Sequence, residues 1–578
     1  MKTAINFKAV VVIVLCAILL PEGAWAANRT KADNNDDLTN GTSWVEGTAP
    51  GTSDTAIWDA TVATPANCTN TSSATFSVKG VVVTDPAANV KITTTVAMTI
   101  GTDGIVLNGT RDFYLSQGGN GIFNFPNVAS VWDIAPGRTV TIDSIKQYLW
   151  TGSGSGTWSL KGGGTVVFTN GTTAAFGVGG NNPCSLEIEN GTLRLCNGFS
   201  LGGTGTGAVY QTGGSVETPV SGGYGLSLGN AHNAVSVYDL SGGTLIVSTN
   251  AALGSWDGTS GGFKTNMNST LIVRDAGVAT ITNDIWMGGV KCKDGVATVT
   301  LRTGGTLSVG SIMVNSAVVN YTSIVEFDGG TLKPMRDKTT FLGGLTQATL
   351  STNGAVIDTA NCSITISQKL ENATSQAGKL VKTGPGVLTL VGTNTYTGAT
   401  SVNNGKLVIN NNVTISNSAA INVASGATCD VSAVSGFVVY SNQSLMGLGV
   451  VTGRTTVAAG ATLAPGGTNG TLLVTGSASA TNLVLGGTLS VTGDVSRVST
   501  TPWLSVTGSV DLASSTITGV NLNLLTKPQS YILLSYSGTR VGSFNSTPPA
   551  SGWRVSYDDA HKQVLLLGAT PGLIIRVQ

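Results

Sequence analysis

The chain has 578 residues, of which 78 are glycine, and only 10% carry charge, 30 basic against 30 acidic. That balance leaves no basic stripe for a nucleic-acid backbone and no Lys/Arg-rich face for a membrane surface, while a hydrophobic share of 41% opposes disorder. Glycine at about twice its usual share, joined by Thr, Ser, Asn, Val, Leu and Ala, favours strands and turns over helices.

Residues 1–26 read as a secretory signal peptide. Lys2 and Lys8 give a positive start, Ala9 to Leu20 is an uncharged apolar run of 12, and Pro21 precedes the small residues Ala24 and Ala26. A run of that length spans only about 18 Å of a hydrocarbon core about 30 Å thick, so it is not a membrane helix. Cys16 follows Leu15 inside the apolar run and does not mark a lipid anchor. No later segment has the uninterrupted apolar length of a transmembrane helix. Six cysteines remain after residue 26, with Cys184 and Cys196 nearest to each other; no Cys-x-x-Cys occurs, which speaks against thiol redox chemistry and a four-cysteine zinc site.

Further along, a short phrase recurs: glycine, then Thr or Ser, then an apolar residue. It stands at Gly164-Thr165-Val166, Gly191-Thr192-Leu193, Gly214-Ser215-Val216, Gly243-Thr244-Leu245, Gly305-Thr306-Leu307, Gly330-Thr331-Leu332 and Gly487-Thr488-Leu489, and from Gly164 to Gly243 the steps are 27, 23 and 29 residues. Each phrase reads as a turn feeding a strand, because glycine takes positive φ without strain and apolar alternation follows. Hairpins of a β-sandwich would turn every 8 to 12 residues or so. Steps in the twenties fit one coil of a solenoid, so about 15 to 20 coils of roughly 20 to 27 residues, at about 4.8 Å each, would make a rod of roughly 70 to 95 Å.

The sharpest segment runs from Gly378 to Ile409. Leu380, Gly384, Gly386, Leu388, Leu390, Gly392, Asn394, Tyr396, Gly398, Thr400 and Val402 keep one parity until the turn Asn403-Asn404-Gly405, after which Leu407 and Ile409 take the other. One strand of that length is implausible, so the glycines mark corners at which the chain changes sheet while keeping its inward face. Together with Lys382, Gly405 and Leu407, these residues closely resemble the autotransporter-associated beta strand repeat, also called the passenger-associated transport repeat. Leu445 to Gly449, Gly460 to Gly466 and Gly470 to Leu472 resemble the coils that follow such repeats, and Trp44, Gly47, Pro50, Asp54, Trp58 and Asp59 resemble the opening of secreted bacterial proteins of this kind. The resemblance implies an all-β, right-handed parallel β-helix with a small C-terminal β cap. A membrane β-barrel of 12 strands would use well over about 200 residues, more than follow residue 480, so a passenger-like chain without its own translocator is expected. The expected divisions are the signal peptide (1–26), an N-terminal segment and cap (27–74), the parallel β-helix (75–480) with its repeat motif at 378–409, and a C-terminal β region and cap (481–578).

Solenoids of this class also host polysaccharide lyases and hydrolases. Glycoside hydrolysis needs two carboxylates about 5 to 9.5 Å apart, and adjacent aspartates occur only at Asp36-Asp37 and Asp558-Asp559, where solvated loops are expected. His232 and His561, the only histidines, read as exposed loop residues. Gly225-Leu-Ser-Leu-Gly229 spells a nucleophile elbow around Ser227, but it lies in alternating β sequence without the strand-to-helix turn that an elbow needs. Gly118-Gly119-Asn120-Gly121 begins like a calcium nonapeptide, and Phe123 stands where Asp is required. The charged stretch Arg274, Asp275, Asp284, Trp286, Lys291, Lys293 and Asp294 could line a sugar groove, or be a solvated loop between coils.

The expectation is therefore an exported, cell-surface or extracellular β-helix with a structural or adhesive, non-catalytic role. No catalytic, cofactor-binding or metal-ligating residue is assigned; the expected partners are glycans or cell-surface components, with no nucleic acid and no transmembrane helix. The alternative is a carbohydrate-binding or polysaccharide-degrading β-helix, which converging carboxylates in a groove would favour over outer faces of Thr, Ser and Asn.

Overall fold

A computed structural model describes residues 26–568 apart from 95, 118–122, 125–128, 144–146, 150–155, 170–175, 180–181, 197, 204, 219–223, 256–263, 289–291, 316–317, 411–414, 467–469, 528 and 546–548. The expected signal peptide, save Ala26, and the segment Gly118 to Gly121 lie outside the described residues. The chain is a parallel β-solenoid of about 17 turns, and no α-helix occurs among the described residues.

One coil shows how the sequence builds it. Val235–Leu240, Thr244–Val247 and Asn250–Leu253 are three short strands on three successive sheets. Each pairs in parallel with its counterpart one coil earlier and one coil later: Val235 with Thr206 and Asn268, Thr244 with Ser215 and Val278, Ala251 with Leu226 and Ile285. Alternation puts Tyr238, Leu240, Leu245, Val247, Ala251 and Leu253 inside, all fully buried. Stacked over many coils, these positions become columns; Val166, Leu193, Val216, Leu245, Ala279, Leu307, Leu332 and Ile357 follow one another along the second sheet.

The recurring glycine phrase is the corner into the second sheet. Thr192, Ser215, Thr244, Val278, Thr306 and Thr331 each donate their backbone N–H to the glycine carbonyl of the coil before, at 2.8 to 3.0 Å. Because these corners sit directly on one another, a Cβ on Gly243 (φ 75°) would meet Gly214 O at 2.2 Å. From inside, Gln211 Nε2 donates to Gly213 O, Gly214 O and Thr244 O, and its Oε1 accepts from the buried Tyr238 hydroxyl.

Coils differ in length more than the phrase spacing suggests. Val387 lies beside Lys406 in a short coil, whereas Thr244 lies beside Val278 in a long one, whose extra residues fall between Asn250–Leu253 and Asn268–Val273. The first sheet ends at Glu371–Asn372, and a separate sheet of five strands takes over a face from Phe437–Val439 to Arg540–Val541.

The parallel ladders also extend past the interval 75–480 on both sides. They start with Asn28 beside Thr55 and run to Asp511 beside Val541. The opening edge is closed by residues 32–45, where Val45 N–H donates to Thr30 O and Ala32 N–H to Ser43 O. Trp44 packs there edge-on to Trp58 and stacked with Phe76. At the other end Ser530–Tyr536 meets Gln563–Gly568 antiparallel, and Trp553–Asp558 completes that cap.

Leu388 is fully buried between Ile364 and Leu407 in one column, while Thr389 points outward between Thr365 and Val408. Leu388→Asp should cost at least about 3 kcal/mol by burying an unpaired carboxylate and open residues 370–410 to limited proteolysis. Thr389→Asp should stay within about 0.5 kcal/mol of the parent. Equal protease sensitivity of the two variants would contradict the assignment of faces.

Candidate functional site: the repeat coil and the outward faces

In the coil that carries the repeat motif, the polar residues Lys382, Asn394, Tyr396 and Thr400 face inward. Lys382 occupies a position in the aliphatic column between Ile357 and Val402 and is fully buried. Its Nζ donates to Thr359 Oγ1 at 2.8 Å, Thr383 O at 2.9 Å, Gly384 O at 2.7 Å and Asn404 O at 3.0 Å. Burial pushes this amine down to about 8, and the nearby Asp358 carboxylate acts in the opposite sense. One side chain thus ties three successive coils at a corner, where carbonyls turned inward would otherwise lack donors.

The rest of the motif works the same way. Gly386 must lack a side chain because a Cβ would meet Cys362 O at 2.1 Å. Asn394 Oδ1 accepts the Leu370 N–H at 3.0 Å, as Gln368 Oε1 accepts the Leu345 N–H at 2.8 Å one coil earlier. Tyr396 is buried, its hydroxyl 2.6 Å from Thr400 Oγ1, which lies 3.0 Å from Ser418 Oγ. Ser418 donates to Gly398 O at 2.8 Å. Burial raises the Tyr396 phenol above its ordinary value and the neighbouring Cys429 thiol to about 12. None of these groups faces solvent, so the motif supplies cohesion between coils, not a binding surface.

The charged stretch from Arg274 to Asp294 is divided among three corners because it wraps a whole coil. Arg274 leaves the first sheet and clamps Asp239 at 2.8 and 3.2 Å. Asp284 opens the third sheet, ion-paired with Arg336 at 3.2 Å and Lys338 at 3.0 Å and accepting from Ser311. Lys293 and Asp294 lie at the return to the first sheet; Lys291 is outside the described residues. A common groove lined by all of them is therefore corrected: only Asp284 and Trp286 share a face.

Other sequence candidates are also engaged locally. Ser227 is buried within Tyr224–Leu228 and its Oγ donates to Gly254 O at 3.3 Å, with no histidine beside it. His232 Nδ1 lies 3.1 Å from Thr265 Oγ1. His561 pairs with Asp558 at 2.8 Å in the cap turn, and Asp559 pairs with Arg540 at 2.6 Å. Asp37 accepts from Thr39 and Ser73 and holds the opening loop. Cys68, Cys362 and Cys429 are free thiols.

Two features escaped the sequence reading. Asn233, Asn266, Asp294 and Asn320, all at positive φ, occupy one corner of four successive coils, and Asn266 Nδ2 donates to Asn233 Oδ1 as Asn320 Nδ2 does to Asp294 Oδ1. The second is an open depression of about 460 Å³ on the outward face of the first sheet, lined by Glu187, Glu189, Tyr210 and Thr212. Aligning coils at their glycine phrases would have found it, since Glu187 then falls beside Tyr210.

Residues 380–409 match the family model of the passenger-associated transport repeat, so the chain carries this autotransporter-associated repeat. No curated protein and no solved structure matches the chain.

Lys382→Met keeps the aliphatic volume but strips the donor from three inward carbonyls and Thr359. A loss of at least about 2 kcal/mol is expected, read as earlier denaturant unfolding. Lys406→Met, which removes an exposed partner of Asp430, should change stability by about 0 to 1 kcal/mol. Equal losses would mean that Lys382 is not the tie between coils.

Proposed function

We propose that this passenger-like β-helix acts, after export by its signal peptide, as a non-catalytic structural or adhesive protein at the cell surface or outside the cell. The observation that carries the proposal is how the outward polar residues are used. Lys79 with Asp103, Lys161 with Glu189, Arg194 with Glu217, Arg274 with Asp239, Lys333 with Asp358 and Lys406 with Asp430 each join one coil to the next. Charges spent this way brace a rod along its length and do not converge on a reacting atom.

The repeat supports the export side, because it belongs to passengers of autotransporters. Among the described residues no helix is long and apolar enough to cross a membrane. A carbohydrate-binding β-helix is the second reading, favoured by Glu187 and Glu189 in one depression. Their engagement by Ser159 Oγ at 3.0 Å and Lys161 Nζ at 2.8 Å sets both as acceptors, whereas glycoside cleavage needs one carboxyl as proton donor.

Protease added to intact producing cells should digest the chain, and cells lacking it should attach less to host or abiotic surfaces. Full protection from protease together with unchanged attachment would refute surface display and adhesion. On pectins and simple esters the purified chain should show no turnover; hydrolysis or elimination abolished by Glu187→Gln, Glu189→Gln or Ser227→Ala would overturn the non-catalytic reading.

A further inference from the structure

We infer that the depression around Tyr210 is a glycan-binding subsite for neutral or amino sugars. The inference deepens the adhesive reading and rests on it, by naming the chemistry that would be gripped.

Tyr210 stands on the outward face of the first sheet and is 45% exposed. Neither its ring nor its hydroxyl has a partner among the described residues, although large aromatic side chains elsewhere in this solenoid are mostly core. In the same outward column, Glu187 lies one coil before Tyr210 and Asp239 one coil after, each about 4.8 Å away along the ladder. Asp239 is already clamped by Arg274, and Glu189 by Lys161. Glu187 differs: it accepts a single hydrogen bond, from Ser159 Oγ at 3.0 Å, and has no ion-pair partner among the described residues. The depression therefore combines an unstacked aromatic face, a carboxylate with unused acceptor sites, and the Thr212 hydroxyl at its edge.

These are the complements of a pyranose. Its C–H face is apolar and packs on an aromatic ring. Adjacent hydroxyls, or an ammonium in an amino sugar, donate charge-assisted hydrogen bonds to a carboxylate. A uronic acid would bring its own negative charge against Glu187 and Glu189 and is disfavoured. Tyr210 and Glu187 face outward on adjacent coils of one ladder, so a pyranose stacked on the ring and bound to Glu187 would span those two coils.

Titration calorimetry on the mature chain, with oligosaccharides of glucose, mannose, galactose and glucosamine and with oligogalacturonate as the acidic probe, tests the subsite. At least one neutral or amino-sugar probe should bind, more tightly than oligogalacturonate. Tyr210→Ala and Glu187→Gln should each weaken that binding at least tenfold, with unchanged circular dichroism. Tyr440→Ala, at an exposed tyrosine outside the depression, should not change it. Absence of binding to every neutral and amino-sugar probe, binding indifferent to both Tyr210→Ala and Glu187→Gln, or preference for oligogalacturonate would each overturn the assignment. If attachment of producing cells persists in that event, the subsite alone has failed and the adhesive role stands.

Discussion

Successive coils are held one backbone hydrogen bond apart, and most of what is unusual in this sequence follows from that spacing. At the corners a coil must rest on the one before it with no room for a Cβ, which is why glycine recurs where Gly243 sits over Gly214. Inside the corners, carbonyls that turn toward the core need donors, and long polar side chains reach them from within. Gln211 serves one such corner and Lys382 another. Lys31 repeats the device near the first edge, its Nζ donating to Ala32 O and Asn34 O. Buried amines and amides in this fold are thus parts of the backbone's hydrogen-bond accounting.

The same spacing explains the sparse charge. A strand pairs with neighbours above and below, so only the ends have open edges, and little surface charge is needed to keep the sheets from pairing with other chains. The charges present line up along the ladders and neutralise one another between coils. Against that background Tyr210, without a partner among the described residues, and Glu187, held by a single hydrogen bond from Ser159, stand out. A surface role built on length, with a gripping point on one face, is consistent with both observations.

The parallel solenoid, the corner glycines and the inward parity from Leu380 to Val402 were legible in the sequence, because each follows from a period of two interrupted by glycine. The coils at Asn28–Thr30 and Leu504–Val506 were not, since these strands lack the glycine phrase that marks the central coils. The extra sheet beginning at Phe437–Val439 was hidden for the same reason. Arg274 to Asp294 was left between groove and loop, because closeness in sequence is not closeness in space when one coil carries the chain around three faces. Glu187 and Tyr210, distant in sequence, meet only through the register of adjacent coils, which the unequal coil lengths conceal.

Stacking of corner upon corner is the central physical claim, and residue-resolved hydrogen exchange tests it most directly. The amides of Thr192, Ser215, Thr244, Val278, Thr306 and Thr331 donate to the coil before, so they should exchange as slowly as amides within the adjoining strands. In a stack of hairpins these residues would follow exposed turns and lose that protection. Fast exchange at these six positions beside slow exchange in the strands would contradict the solenoid.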